Sequence, residues 1–183
     1  QFPKTNKAIK LACNVDYAVY SEAHSVSGRG EALKIPEQLR ALWSHGTTRT
    51  AGLGLFLHRN FLFKFNTVNP DRDWLEIIPG RLAVLKLRGP QGSLDIICAY
   101  LQSGDGTEHV NSRIHTINKL GDYIQPQHKV LTVLTGDFNF VEYNHDRFCT
   151  VGARFTGDRD RREAEIFKAR VRGPHGMVEW AQD

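Results

Sequence analysis

The apolar run Lys129-Val130-Leu131-Thr132-Val133-Leu134 ends abruptly in Gly136-Asp137-Phe138-Asn139. A short apolar run bounded by a glycine reads as a buried strand, and a buried strand needs a sheet and a second layer around it. Asp137 and Asn139 lie two apart, so in extended backbone they point to the same side. An acid and an amide are then delivered together at a strand end, where ligands bind in α/β sheets. A carboxylate can hold a divalent cation or take a proton from water. An amide can hydrogen-bond a developing anion without adding repulsive charge. A simple strand-end turn is the alternative, since Gly, Asp and Asn are common turn residues.

The rest of the chain alternates strands and helices. Lys4 to Asn14 reads as an amphipathic helix with Ile9, Ala12 and Cys13 on one side. Val15 to Ser21 reads as a strand, Ile35 to Trp43 as a short helix with Pro36 in its first turn, and Leu53 to Leu57 as a strand with which Phe61 to Phe65 is expected to pair. Arg81 to Arg88 and Leu94 to Tyr100 flank the loop Gly89-Pro90-Gln91-Gly92-Ser93 and form a hairpin. Ser112 to Gln125 carries Ile114, Ile117, Leu120 and Ile124 at helical spacing, with Pro126 closing it. Asp160-Arg161-Arg162-Glu163 resembles a capping box opening a helix to about Arg172, which Gly173-Pro174 is expected to stop. This mixture predicts layered α/β or α+β architecture.

The 183 residues, 40% hydrophobic and 24% charged, suffice for one domain with a sizeable core. No apolar run approaches the ~20 residues needed to cross a bilayer, so no membrane partner is expected. The three cysteines are far apart, with no Cys-x-x-Cys pair and no Cys/His zinc spacing. They read as small buried hydrophobes in an intracellular, reducing compartment. A net charge of +4 and a pI near 9.1 permit a polyanionic partner.

Two further strand ends carry polar chemistry. Val15 to Ser21 exits into Glu22-Ala23-His24, and Leu94 to Tyr100 closes on a tyrosine. Separately these read as surface residues and as packing. In order, the segments resemble the endonuclease/exonuclease/phosphatase superfamily, the apurinic-endonuclease-like and DNase-like fold. Tyr20-Ser21-Glu22-Ala23-His24 loosely matches its "Gln-Glu-(Thr)-His" run, and Arg49 to Leu57 matches its glycine-rich strand. Cys98-Ala99-Tyr100 matches "Asn-x-Tyr" with Cys98 in place of Asn, and Gly136-Asp137-Phe138-Asn139 matches "Gly-Asp-(Phe/Leu)-Asn" in full. Within the superfamily the chain looks most like the endonuclease domains of non-LTR retrotransposons, through Asp146-Arg147-Phe148, Arg154-Phe155-Thr156-Gly157 and Asp160 to Glu163.

The resemblance implies a four-layer α/β sandwich, two packed sheets flanked by helices. Residues 1–183 would form a single domain truncated at both termini, lacking the family's first strand, which carries an Asn, and its C-terminal Ser-Asp-His segment. No Asp-His dipeptide occurs in the sequence. It further implies phosphodiester hydrolysis dependent on Mg²⁺ or Mn²⁺, with DNA as substrate and a reverse transcriptase on the same polypeptide, in the nucleus. Asp137, Asn139 and Tyr100 would be catalytic, Glu22 the metal ligand, and His24 a contact to the metal's water shell or the substrate. Arg154, Arg161 and Arg162 would contact nucleic acid. A solvated helix face is the alternative for that basic stretch, because Asp158, Asp160, Glu163 and Glu165 interleave. Missing the histidine motif, the chain is expected to be weakly active or inactive and marginally stable. The alternatives are a phosphatase of the same fold, a non-catalytic remnant or partial gene product, and a plain binding domain.

Overall fold

The computed structural model describes residues 2–23, 34–46, 51–126 and 128–179. It comprises two compact units, Gln1–Tyr100 with Val130–Asp137, and Leu101–Lys129 with Phe138–Asp183.

The first unit holds two sheets. Strands β1 (Tyr17–Tyr20), β2 (Leu39–Ser44) and β3 (Leu53–His58) form an antiparallel sheet in the order β1-β3-β2. Strands β4 (Trp74–Ile78), β5 (Leu82–Gly89), β6 (Gly92–Tyr100) and β7 (Leu131–Asp137) form the second in that spatial order, antiparallel except for the parallel β6–β7 pair. Alternate residues of β3, β5 and β6 meet in one buried cluster: Leu53, Leu55, Leu57, Ala83, Leu85, Leu87, Ile96, Cys98 and Tyr100. Strand periodicity points these side chains the same way, so the sheets pack face to face. Burying each leucine contributes roughly 1.5–3 kcal/mol, and a one-residue slip would turn all of them outward.

The opposite face of the first sheet is covered by α1 (Phe2–Ala12). Its Ile9 and Ala12 pack on Leu39 and Phe56. Tyr20 and Trp43 meet the Phe56 ring edge-on, each at 5.4 Å between centroids. The class is thus mixed α/β, two packed sheets flanked by helices.

Several local expectations are corrected. Ile35 to Trp43 is no helix: Leu39–Ser44 is β2, paired along its length with β3. Its helix-forming composition loses to pairing that buries Leu39, Leu42 and Ser44. Phe61 to Phe65 adds no strand. Arg59–Leu62 is a single turn, α2, in which Asn60 N donates to the His58 ring, and Phe61 is buried against the Tyr17 and Phe65 rings. The β5–β6 loop is shorter than expected, since Gly89 already pairs with Gly92 around Pro90-Gln91. Another short helix, α3 (Pro70–Asp73), precedes β4.

The second unit contains α4 (Thr107–Tyr123), a small hairpin of β8 (Phe148–Cys149) and β9 (Arg154–Phe155), and α5 (Arg161–Phe167). From α5 the chain runs through a wide turn, Lys168–Arg172, into α6 (Gly173–His175). Helix α4 starts five residues earlier than the periodicity suggests. Gly173-Pro174 does not stop the last helix. Pro174 lies in the first turn of α6, where its missing N–H costs nothing, and Gly176 in the left-handed region (φ 57°) ends the segment. The capping box at Asp160 does not form. The Asp160 carboxylate accepts from Val141 N at 2.9 Å and pairs with Arg147 at 2.9 Å, while Glu163 is committed to Arg113 at 2.6 Å.

Candidate functional site

In the first unit three strand ends supply the polar groups. β1 ends at Tyr20, and two residues on the exposed Glu22 adopts φ 52°, a left-handed conformation uncommon for a residue other than glycine. The next residue is anchored, because Ala23 N donates to Gly52 O at 3.0 Å. Tyr100 ends β6 with its ring buried in the inter-sheet cluster, and its hydroxyl donates to Glu22 Oε1. The tyrosine is fixed from two directions. Its N–H donates to Arg81 O at 2.7 Å, and the Arg81 guanidinium lies over its ring, 4.6 Å from the centroid. Asp137 ends β7 directly beside Tyr100 in the parallel register.

Gly136 makes that last placement feasible. Its φ is 146°, and a Cβ there would lie 1.8 Å from Ala99 O. Only glycine allows β7 to stay against β6 up to the acid.

Asn139 corrects the extended-backbone argument. Its φ is 53°, so the two-residue alternation no longer applies beyond Asp137. Within the second unit its amide Nδ2 donates to Leu101 O at 2.9 Å. His24 lies outside the described residues. Of the three arginines assigned to nucleic acid, Arg161 pairs with Glu165 at 2.9 Å on an exposed helix face, the i,i+4 alternative. Arg162 reaches Asn111 Oδ1 at 3.5 Å, and Arg154 is exposed on β9.

Arg81 escaped the sequence reading. A signal existed: a two-residue turn at Pro90-Gln91 pairs Leu82 with Ala99, which brings Arg81 opposite Tyr100.

Among the described residues no three His, Cys, Asp or Glu side chains cluster as a metal cage. The donor that is present still suits a hard cation. Mg²⁺ keeps most of its waters and takes one or two carboxylates, and Glu22 offers an exposed carboxylate held by Tyr100. Cys98 is no nucleophile. Burial pushes its thiol up to about 12, which keeps it protonated. Cys13 and Cys149 are only half-buried, so of the three cysteines only Cys98 is a core residue.

No family model matches the chain, and no curated protein matches it. Solved structures do. AP endonuclease LMAP from Leishmania major superposes with a TM-score of 0.62 at 12% identity, over 93% of this chain and 62% of that one. At this identity the likeness is one of fold. The same fold is matched in the 3' phosphatase NExo from Neisseria bound to a product DNA hairpin, with a TM-score of 0.56 at 15% identity over 91% and 63% of the two chains. It is matched again in D. rerio TDP2 complexed with a single-strand DNA product, with a TM-score of 0.53 at 12% identity over 76% and 53%. The chain spans about three fifths of the length of LMAP and NExo. In this fold Tyr100, Asp137 and Glu22 stand at neighbouring strand ends of the first unit.

Proposed function

We infer that the chain belongs to a divalent-metal-dependent enzyme that hydrolyses phosphodiester bonds in DNA. The observation that carries this is the Tyr100 hydroxyl at the end of β6 donating to the Glu22 carboxylate. A phosphate diester is anionic and repels hydroxide. Bound Mg²⁺ or Mn²⁺ would offset that charge and steady the leaving oxygen. Glu22 would hold the ion, and Tyr100 orients Glu22. Arg81 holds the Tyr100 ring and adds positive charge on the same side. Asp137 would take the proton of the attacking water. Asn139, whose amide is anchored on Leu101 O, would hydrogen-bond a phosphate oxygen or the metal's water shell. The named neighbours that carry DNA, a product hairpin in one and a single-strand product in another, support DNA as the substrate.

The finer reading is a retrotransposon-type endonuclease working in the nucleus, with a reverse transcriptase on the same polypeptide. It rests on Asp146 to Phe148 and Arg154 to Glu163. A second reading, phosphomonoester hydrolysis, is favoured by the likeness to a 3' phosphatase.

Conversion of supercoiled to nicked plasmid, with and without Mg²⁺, tests the proposal. Slow Mg²⁺-dependent nicking, lost in Glu22→Gln, is expected. Mg²⁺ binding that is unchanged in Glu22→Gln, with nicking no faster than in that variant, would overturn it. Release of phosphate from a 3'-phosphorylated oligonucleotide without nicking would give the second reading instead.

A further inference from the structure

The short hairpin of the second unit exposes large apolar groups that its own fold does not cover. Phe148 and Phe155 oppose each other across β8 and β9, their rings 5.3 Å apart and edge-on, yet they remain 54% and 52% exposed. Val151 at the tip is 98% exposed. Just before the hairpin, the exposed Tyr143 ring stacks on His145, 5.5 Å apart and 14° from parallel. A soluble surface seldom gathers so many open rings without a partner.

Charge selects the partner. Several cations of this unit are neutralised internally: Arg147 by Asp160, Arg161 by Glu165, Arg170 by Asp122 and Arg172 by Glu142. Arg154, on the hairpin itself, is exposed and forms no ion pair among the described residues. Open aromatic faces beside an unneutralised guanidinium match unstacked bases on a phosphate backbone. The rings take the bases and the cation takes the phosphate.

We propose that the Phe148–Phe155 hairpin, with the Tyr143–His145 stack and Arg154, is a stacking platform for unpaired nucleotides of a single-stranded nucleic acid. It rests on the nucleic-acid reading above and names the strand form that this surface takes. Because every base has a flat face, the platform tolerates sequence and discriminates only between a strand with bases and one without.

The test uses the whole chain and two fluorescent probes of equal length, an oligothymidylate and a strand of abasic sites. Their backbone charge is the same. The chain is expected to bind oligothymidylate more tightly. The double substitution Phe148→Ala with Phe155→Ala should weaken that binding by about 10-fold and leave the abasic strand unaffected. Arg154→Ala should weaken both probes alike and flatten the salt dependence. The rings are half-exposed, so an unchanged thermal melt is expected for the double variant. Equal binding of both probes before and after substitution would overturn the platform while leaving nucleic-acid binding intact. Binding of neither probe at low salt would remove the nucleic-acid reading itself. A dimer that dissociates in the double variant, with oligothymidylate binding unaltered, would make the patch a face between copies of this chain and would also overturn the platform.

Discussion

Tyr100 and Glu22 are 78 positions apart in sequence and share one hydrogen bond, hydroxyl to carboxylate. The bond ties the end of β6 to the segment that follows β1, one partner buried and the other exposed. Removing the hydroxyl alone separates the chemistry from the packing. In Tyr100→Phe the ring keeps its place under Arg81, and stability should fall by only about 0.5–1.5 kcal/mol, one hydrogen bond. The nicking rate should fall by roughly 10²–10³, as when one positioned donor is lost. Comparing thermal melts with plasmid nicking checks both. An unchanged rate would mean that the bond is only a tie between these segments.

Gly136 tests the same strand end by steric means. Alanine there would place its Cβ 1.8 Å from Ala99 O in a φ region that L-residues avoid. Backbone strain and overpacking together should cost about 3 kcal/mol or more, and β7 would separate from β6 beside Asp137. Denaturant titration of Gly136→Ala measures this. A loss below about 1 kcal/mol would show that the close approach is not enforced in solution.

What could be read beforehand followed the strength of local pattern. Leu53-Gly54-Leu55-Phe56-Leu57 announces a strand because it is a short continuous apolar run, and all five residues are buried. β2 was hidden, since Pro36-Glu37-Gln38-Leu39-Arg40-Ala41-Leu42 has the composition of a helix and only its pairing with β3 makes it a strand. Asp160 and Glu163 were misassigned because a capping pattern says nothing of Arg147 and Arg113, the partners that claim them. Asn139 lies in the left-handed region, where strand alternation does not predict the direction of a side chain. Arg81 was missed through a loop read as five residues instead of two, which shifts the register opposite Tyr100 by one. The Glu22–Tyr100 contact leaves no local trace, and only the resemblance brought its two residues together.

Cys98 gives a prediction in pH. Its thiol is fully buried between the sheets, and burial raises it from 9.0 to about 12. The unfolded chain ionises first, so this contribution to stability is intact below pH 9.0 and is lost progressively as pH rises toward 12. Reactivity follows the same burial. At pH 8 iodoacetamide should label Cys13 and Cys149 in the native chain and spare Cys98 until denaturant is added. Peptide mass spectrometry reads the outcome, and rapid native labelling of Cys98 would contradict the packed interface.

The Arg113–Glu163 pair holds the second unit together. Both side chains are nearly inaccessible, at 4% and 1%, with guanidinium and carboxylate 2.6 Å apart. Arg113 also donates to Gln102 O at 2.8 Å and Gly104 O at 2.7 Å, so one side chain on α4 ties α5 to the loop that follows Tyr100. Deleting either partner strands a buried charge. Arg113→Ala and Glu163→Ala should each cost about 3–5 kcal/mol, whereas replacing both with apolar residues of similar volume should recover much of the loss. Arg113→Ala should exceed Glu163→Ala, because it also leaves two loop carbonyls without their donor. Chemical denaturation of the single and double variants decides the matter, since additive losses in the double variant would show that the two side chains do not act as a pair.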